Sequence, residues 1–151
     1  MARLVIQGEE LVVRLSWWEK AAARRGNVHV PLRAVDKVQV EPSWWRVLRG
    51  TPSRGAWIPD VLCLGVREAA GVKDFVAIRP RRGPVACLDL HPDASPFARV
   101  AVSDRVPEAT AATVRTAVRR RASAPRPARL PDPDPDPDTV PAAKGPAAQP
   151  A

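Results

Sequence analysis

The chain has 151 residues, with 24 Lys and Arg against 16 Asp and Glu, so its formal net charge is +8, and five Trp stand beside two Phe and no Tyr. No apolar run approaches the roughly 18 residues of a membrane-spanning helix, and the first residues lack the apolar segment of a secretory signal. We therefore predict no transmembrane segment and a cytoplasmic location. In that compartment Cys63 and Cys87, which fit no metal or redox spacing, are expected to be buried reduced thiols.

Eight short segments rich in Val and other apolar residues are separated by turn residues, and in several of them apolar and polar residues alternate. We expect each segment to be a strand, and the first two to form a hairpin around Gly8. Pro31 makes the third strand short or places it at an edge. Because most of the strands follow one another without a helix, they predict an antiparallel sandwich or barrel. The predicted strands are residues 3–7, 11–15, 28–32, 37–41, 61–66, 74–79, 85–90 and 97–103.

An early helix is predicted over residues 17–25. Ser16 and Glu19 have the spacing of a capping box, in which each side chain satisfies the other residue's backbone amide. Trp17 and Trp18 are adjacent, so they cannot share a face of this helix, and we expect one to pack inward and the other to lie at the surface or in an interface.

A second helix is predicted from Pro107 to about residue 122, because proline suits the first helical position. Residues 1–123 then form one domain with 21 Lys and Arg against 12 Asp and Glu, hence a net charge of +9. From residue 124 to 151 nine residues are Pro, and we predict a disordered Pro/Asp/Ala-rich tail with an extended Pro-Asp run at 131–138. The buried stripe of the helix is expected to contain Ala111, Val114 and Val118.

The order of the elements and several short motifs resemble a known family. The motifs are Leu15-Ser16 with Glu19-Lys20, Arg25-Gly26-Asn27-Val28, Val30-Pro31-Leu32, Leu48-Arg49-Gly50, Lys73-Asp74-Phe75 and Arg99-Val100-Ala101-Val102-Ser103. Over residues 2–120 the chain is similar to the pleckstrin-homology-like (PH-like) domains of small proteins from high-GC bacteria. The resemblance implies a mainly β fold, a seven- to eight-stranded antiparallel barrel or sandwich with a short early helix and a capping C-terminal helix. PH-like domains bind phospholipids, peptides or nothing detectable, so the fold alone implies no activity.

The segment 42–59 lacks periodicity and is predicted to be a long loop with one helical turn at 44–48. It is rich in Trp, which favours the membrane interface, and in Arg, which favours lipid phosphates. Two alternatives remain open: the Trp side chains fill the open end of the barrel as core, or they stack on the bases of single-stranded nucleic acid. The candidate binding residues here are Trp44, Trp45, Arg46, Arg49, Arg54 and Trp57.

A second candidate binding cluster, Arg119, Arg120 and Arg121, ends the last helix beside the acidic Pro-Asp run. It is either a solvated helix end, which suits the helix dipole, or a basic binding face that the acidic tail screens.

No catalytic motif is present, and we predict neither an enzyme nor a cofactor. Asp89, His91 and Asp93 have a spacing that would put three ligands on one strand face, but Pro92 breaks that geometry, so no metal site is predicted. The leading hypothesis is a non-catalytic PH-like interaction module, peripheral at the anionic inner face of the membrane or an adaptor. The alternatives are a protein-binding or dimerisation module without a lipid role, and a basic nucleic-acid binder.

Overall fold

The structure, a computed structural model, describes residues 1–124, and the predicted tail lies outside the described residues from residue 125 onward. Three short 3-10 turns occur at Leu32–Ala34, Trp44–Val47 and Pro80–Arg82. No helix within residues 1–124 is long and apolar enough to cross a membrane. The strands and helices are β1 (Arg3–Gln7), β2 (Glu10–Arg14), α1 (Trp17–Ala23), β3 (Val28–Pro31), β4 (Val35–Glu41), β5 (Thr51–Ile58), β6 (Leu62–Ala69), β7 (Val72–Ile78), β8 (Val85–Leu90), β9 (Arg99–Val102) and α2 (Pro107–Ser123).

The strands form two sheets, one of three strands in the order β1-β2-β3 and one of six in the order β4-β8-β9-β7-β6-β5. The predicted fold class, mainly β with a closing helix, is confirmed. The described strands number nine, one more than the largest predicted count, and the pairing of β7 with β9 is parallel. The reason is the position of β9: it pairs antiparallel with β8 and lies between β8 and β7, which run in opposite directions.

The capping residues at α1 act as their spacing predicts. The backbone N–H of Ser16 donates to Oε2 of Glu19 over 2.9 Å, and the Ser16 hydroxyl donates to the same oxygen over 2.7 Å. The helix ends at Ala23, two residues earlier than predicted, because Arg24 adopts a left-handed conformation with φ of 48°. A left-handed residue just past the last helical turn satisfies carbonyls that the turn leaves free.

The main core lies between the three-stranded sheet, α1 and the inner face of the six-stranded sheet. Phe75 and Phe97 pack there with ring centroids 5.9 Å apart. Helix α2 packs against β4, β8 and β1, with Ala111 and Val114 buried and Val118 packed at the margin of the core, as its periodicity predicts.

The outer face of the six-stranded sheet has its own, smaller core. Residues 42–50 cross this face from β4, at one edge, to β5, at the other, and they bury Val47 against the sheet. The prediction of a loop over 42–59 is therefore wrong beyond residue 50, because 51–58 form strand β5. That strand is an exposed edge with almost no buried side chain, so its sequence lacks the apolar run or the alternation that marks the other strands. The sheet contributes Cys63, Val76, Ile78, Val85, Cys87 and Ala101 to this core.

Candidate binding surface

Charged side chains of alternating sign form one row across the outer face of the six-stranded sheet. Cross-strand register places one such residue on each of five neighbouring strands. Within the row, Nε of Arg99 donates to Oδ1 of Asp89 over 2.7 Å. Opposite charges facing each other on adjacent strands stabilise the pairing, and both carboxylates of the row are paired with arginines. In order from β4 to β6 the residues are Lys37, Asp89, Arg99, Asp74 and Arg67.

Arg49 binds the crossing segment 42–50 to this row of charged side chains. Its Nε donates to Oδ2 of Asp74 over 2.8 Å and its Nη2 donates to Oδ1 over 2.7 Å. The hydrogen bond with Asp74 raises the pKa of the Arg49 guanidinium above its ordinary value. Arg67 completes the attachment, because its Nε donates to the Arg49 carbonyl over 2.9 Å and its Nη2 donates to the carbonyl of Gly50. Arg49, a predicted binding residue, thus has a structural partner.

Of the three Trp predicted to bind, Trp44 is half-buried and packs with Leu48 at the margin of the outer core. The interpretation of these Trp as core fillers therefore applies to Trp44. Trp45 is 58% exposed, and the guanidinium carbon of Arg46 lies 5.2 Å from the centre of its ring. The pair Trp45 and Arg46 remains available at the surface.

Trp57 lies on the same face of the sheet, on edge strand β5, and is 44% exposed. The guanidinium of Arg67 lies over its ring, with the guanidinium carbon 5.1 Å from the ring centre. Gly55 and Gly65 face each other between these two side chains in the β5–β6 ladder. We call the exposed residues of this face the outer surface; it comprises Trp45, Arg46 and Trp57.

Arg54 points to the other side of β5. It faces Val66, a residue of the main core, across the β5–β6 ladder, whereas Trp57 faces Cys63 of the outer core. The structure therefore separates Arg54 from the Trp residues with which the sequence grouped it.

The two other Trp lie on α1, which packs against β5 and β6 from the inner side of the sheet. Trp18 is half-buried against the main core, with the guanidinium carbon of Arg79 5.1 Å from its ring centre. Trp17 is 82% exposed. The prediction that one indole packs inward and the other stays at the surface is confirmed, and Trp17 is on the opposite side of the sheet from the outer surface.

The basic cluster ends α2, which packs on the main core, whereas Trp45 and Trp57 lie on the opposite, outer face of the six-stranded sheet. Arg119 and Arg120 are exposed, and Nη1 of Arg121 forms an ion pair of 2.8 Å with Glu9. A cleft of about 720 Å³ separates α2 from the β1–β2 hairpin, lined in part by Ile6, Leu32, Ala117 and Arg120. The structure does not join this cluster to the outer surface.

Asp89, His91 and Asp93 do not converge. Asp89 is bound to Arg99, and Nε2 of His91 lies 3.6 Å from Oδ1 of Asp36. Both thiols are free and buried, and burial raises the pKa of Cys63 and raises that of Cys87 to about 11. A protonated, buried thiol is not a nucleophile.

These features define the class of the chain: a mainly β domain of two sheets with a closing C-terminal helix and an exposed surface of Trp and Arg at one face. Comparisons with protein-family models, with curated proteins and with solved structures found no match to it.

Proposed function

We propose that this domain is a non-catalytic, PH-like interaction module that binds an anionic membrane surface peripherally through the outer surface. The observation that carries the proposal is the exposure of Trp45 and Trp57 on one face, each with a guanidinium against its ring. Indoles prefer the boundary between headgroups and acyl chains, and arginines are attracted by lipid phosphates. The net charge of the domain adds a longer-range attraction to an anionic surface.

The experiment is sedimentation of the full chain with phosphatidylcholine vesicles containing about one-fifth phosphatidylserine, at low and at physiological salt. We expect binding at low salt that weakens as salt rises. The double variant Trp45→Ala/Trp57→Ala should lower the affinity by about tenfold or more, since each indole loses apolar contact with the membrane.

Trp17 supplies a matched control, because it is exposed but lies on the inner side of the sheet. Trp17→Ala removes an indole of the same size and should leave vesicle binding unchanged. Absence of sedimentation at low salt, or equal losses in Trp17→Ala and in the double variant, would contradict the proposal.

A second candidate function, a protein-binding or dimerisation module, is favoured by β5. This eight-residue strand is an edge of the six-stranded sheet and is almost wholly exposed, so it offers free backbone groups to an added strand. Light scattering tests it: a dimer that Ala56→Pro dissociates supports strand addition, and a monomer at all concentrations argues against self-association. The nucleic-acid alternative stays a prediction, which a gel shift with single-stranded DNA at low salt tests.

A further inference from the structure

A pocket of about 230 Å³ opens on the side of β5 that faces away from Trp57. It is smaller than the range of about 300 to 1,000 Å³ typical of sites for drug-sized ligands, so it suits one small chemical group. Its lining combines three apolar residues with three cations and a hydroxyl. The lining residues are Arg25, Ser53, Arg54, Lys73, Phe97 and the pair Val66 and Pro96.

A β-bulge in β5 brings two polar side chains to this pocket. The pairing of β5 with β6 passes from Pro52 opposite Arg67 to Arg54 opposite Val66, so Ser53 is the extra residue. In a regular strand, neighbouring side chains point to opposite faces, and a bulge changes where they point. Here Ser53 and Arg54 both line the same pocket.

The remaining cations come from other parts of the fold. Arg25 follows α1, and its guanidinium carbon lies 4.6 Å from the centre of the Phe97 ring, which orients the side chain. Lys73 lies near the start of β7, and its carbonyl accepts a hydrogen bond of 2.8 Å from the N–H of Ala98, in the segment that carries Phe97. Within that segment, the backbone N–H of Phe97 donates to the hydroxyl of Ser95 over 3.2 Å.

The charges of the pocket are unbalanced. Within residues 1–124, none of Arg25, Arg54 and Lys73 forms an ion pair, whereas Arg49, Arg99 and Arg121 each do. No Asp or Glu lines the pocket, and Glu68, opposite Lys73 in the β6–β7 ladder, makes no ion pair with it. Like charges that converge repel each other, and an anion bound between them removes that repulsion.

We propose that this pocket binds one phosphomonoester group. Such a group carries a charge near −2 at about pH 7 and three strong acceptor oxygens. Two guanidinium groups, an ammonium and a hydroxyl are the donors that match these oxygens, and guanidinium is suited to bind phosphate at two points. The site is independent of the outer surface, and its ligand is either the headgroup of a lipid or a free phosphate ester.

The test compares two vesicle compositions for the full chain. Phosphatidylcholine vesicles with about one-fifth phosphatidic acid present a phosphomonoester, and vesicles with the same share of phosphatidylserine present a phosphodiester. Titration calorimetry with glycerol 3-phosphate examines the free ester. Arg54→Gln and Lys73→Gln each remove one pocket cation, and Arg33→Gln removes one exposed cation elsewhere as the matched control. Thermal unfolding of each variant verifies the fold.

If the ligand is a lipid headgroup, the protein binds vesicles with phosphatidic acid more tightly than vesicles with phosphatidylserine. Each pocket variant then loses about tenfold in affinity for phosphatidic acid, while Arg33→Gln does not. If the ligand is a free phosphate ester, the protein binds glycerol 3-phosphate, and each pocket variant weakens that binding while Arg33→Gln does not. The protein then shows no preference between the two vesicle compositions. Either result supports the pocket. It is overturned if neither phosphomonoester binds, or if Arg33→Gln weakens binding as much as the pocket variants. If the protein binds both kinds of vesicle and only Trp45 and Trp57 affect that binding, the proposed phosphate pocket is overturned and the proposed membrane function stands.

Discussion

Arg49 holds the carboxylate of Asp74 at two points, with Nε 2.8 Å from Oδ2 and Nη2 2.7 Å from Oδ1. Asp74 is 3% exposed on β7, in the interior of the sheet, and Arg49 ends the segment that crosses the outer face. This pair therefore joins the crossing segment, and with it Trp45, to the sheet.

Removing the cation of this pair leaves a buried carboxylate without its partner. We expect Arg49→Gln to lower the free energy of unfolding by about 2 to 3 kcal/mol, because the loss of one member of a charged hydrogen-bonded pair exposes the other to its full desolvation penalty. Urea denaturation measures the change. The double variant Arg49→Gln/Asp74→Asn should be less destabilised than the sum of the two single variants, and strict additivity would show that the pair is not coupled. Arg46→Gln, exposed on the same segment, is the control.

A methyl group at Gly55 should disrupt the pairing of β5 with β6. Gly55 has φ of 136°, and a Cβ there would lie 2.0 Å from the carbonyl oxygen of Leu64. The close contact is with backbone and cannot be relieved by a side-chain rotation. We expect Gly55→Ala to destabilise the fold by about 3 kcal/mol or more, as combined backbone strain and overpacking do.

Gly26 is the matched control for that substitution, because it has ordinary backbone geometry and open space at its Cβ position. Gly26→Ala should leave stability within about 0.5 kcal/mol of the wild type or raise it slightly. Thermal unfolding compares the two variants, and equal stability in both would refute the close approach of β5 and β6.

The buried carboxylate of Glu19 should make stability depend on pH in the acid range. Burial by itself raises its pKa, but the hydrogen bonds from Ser16 and from the N–H of Ala2 outweigh burial and hold the pKa below the ordinary value of 4.5. A lowered folded-state pKa gives stability that is present above about 4.5 and is lost as pH falls through the folded-state value.

We expect Glu19→Gln to lower the unfolding free energy by about 2 kcal/mol at neutral pH, because a charged acceptor of several hydrogen bonds is lost. The difference from the wild type should shrink as pH falls below 4.5, the ordinary value. Urea denaturation at a series of pH values measures it, with Glu68→Gln, at an exposed position, as the control. A difference that is constant with pH would contradict this account.

The thiol of Cys87 should affect stability in the alkaline range. Burial raises its pKa from an ordinary 9.0 to about 11. A raised folded-state pKa gives stability that is present below pH 9 and is lost as pH rises from about 9 to about 11, up to about 3 kcal/mol. Cys87→Ser, which titrates no thiol, should lose less stability over this interval.

The same burial protects both thiols from reagents. In the folded protein, Cys63 and Cys87 should react with a thiol-specific reagent only slowly, and both should react at once in urea. Rapid labelling of the folded chain would show that the outer core opens readily.

Sequence patterns formed by residues close together in the chain predicted the local structure correctly. The capping residues Ser16 and Glu19, the hairpin at Gly8 and the span of β8 over 85–90 all match the structure. In the first two cases the residues that interact are close in sequence, and β8 is a short apolar segment bounded by turn residues and buried on both faces, so composition and spacing carry the signal.

The positions of the proposed binding residues were only partly predictable. The sequence identified Trp45, Arg46 and Trp57, which are exposed on one face, but it also grouped Arg49 and Arg54 with them. Arg49 is bound to a residue 25 positions away in the sequence, and a bulge and the pleat of β5 turn Arg54 to the other side. Arg25 and Lys73, which share the pocket with Arg54, gave no sequence signal, because three separate elements bring them together.

Periodicity, capping residues and turns are enough to predict the class of the fold, most of the strands, the capped early helix and the closing helix. Contacts between distant segments make 51–58 a strand, place β9 parallel beside β7, and direct the side chains of Arg49 and Arg54. Because β5 is an edge strand exposed on both faces, its sequence carries no apolar pattern that would predict a strand. Strand order and cross-strand ion pairs depend on the register between segments that are distant in the sequence. Packing selects that register as the sheets form.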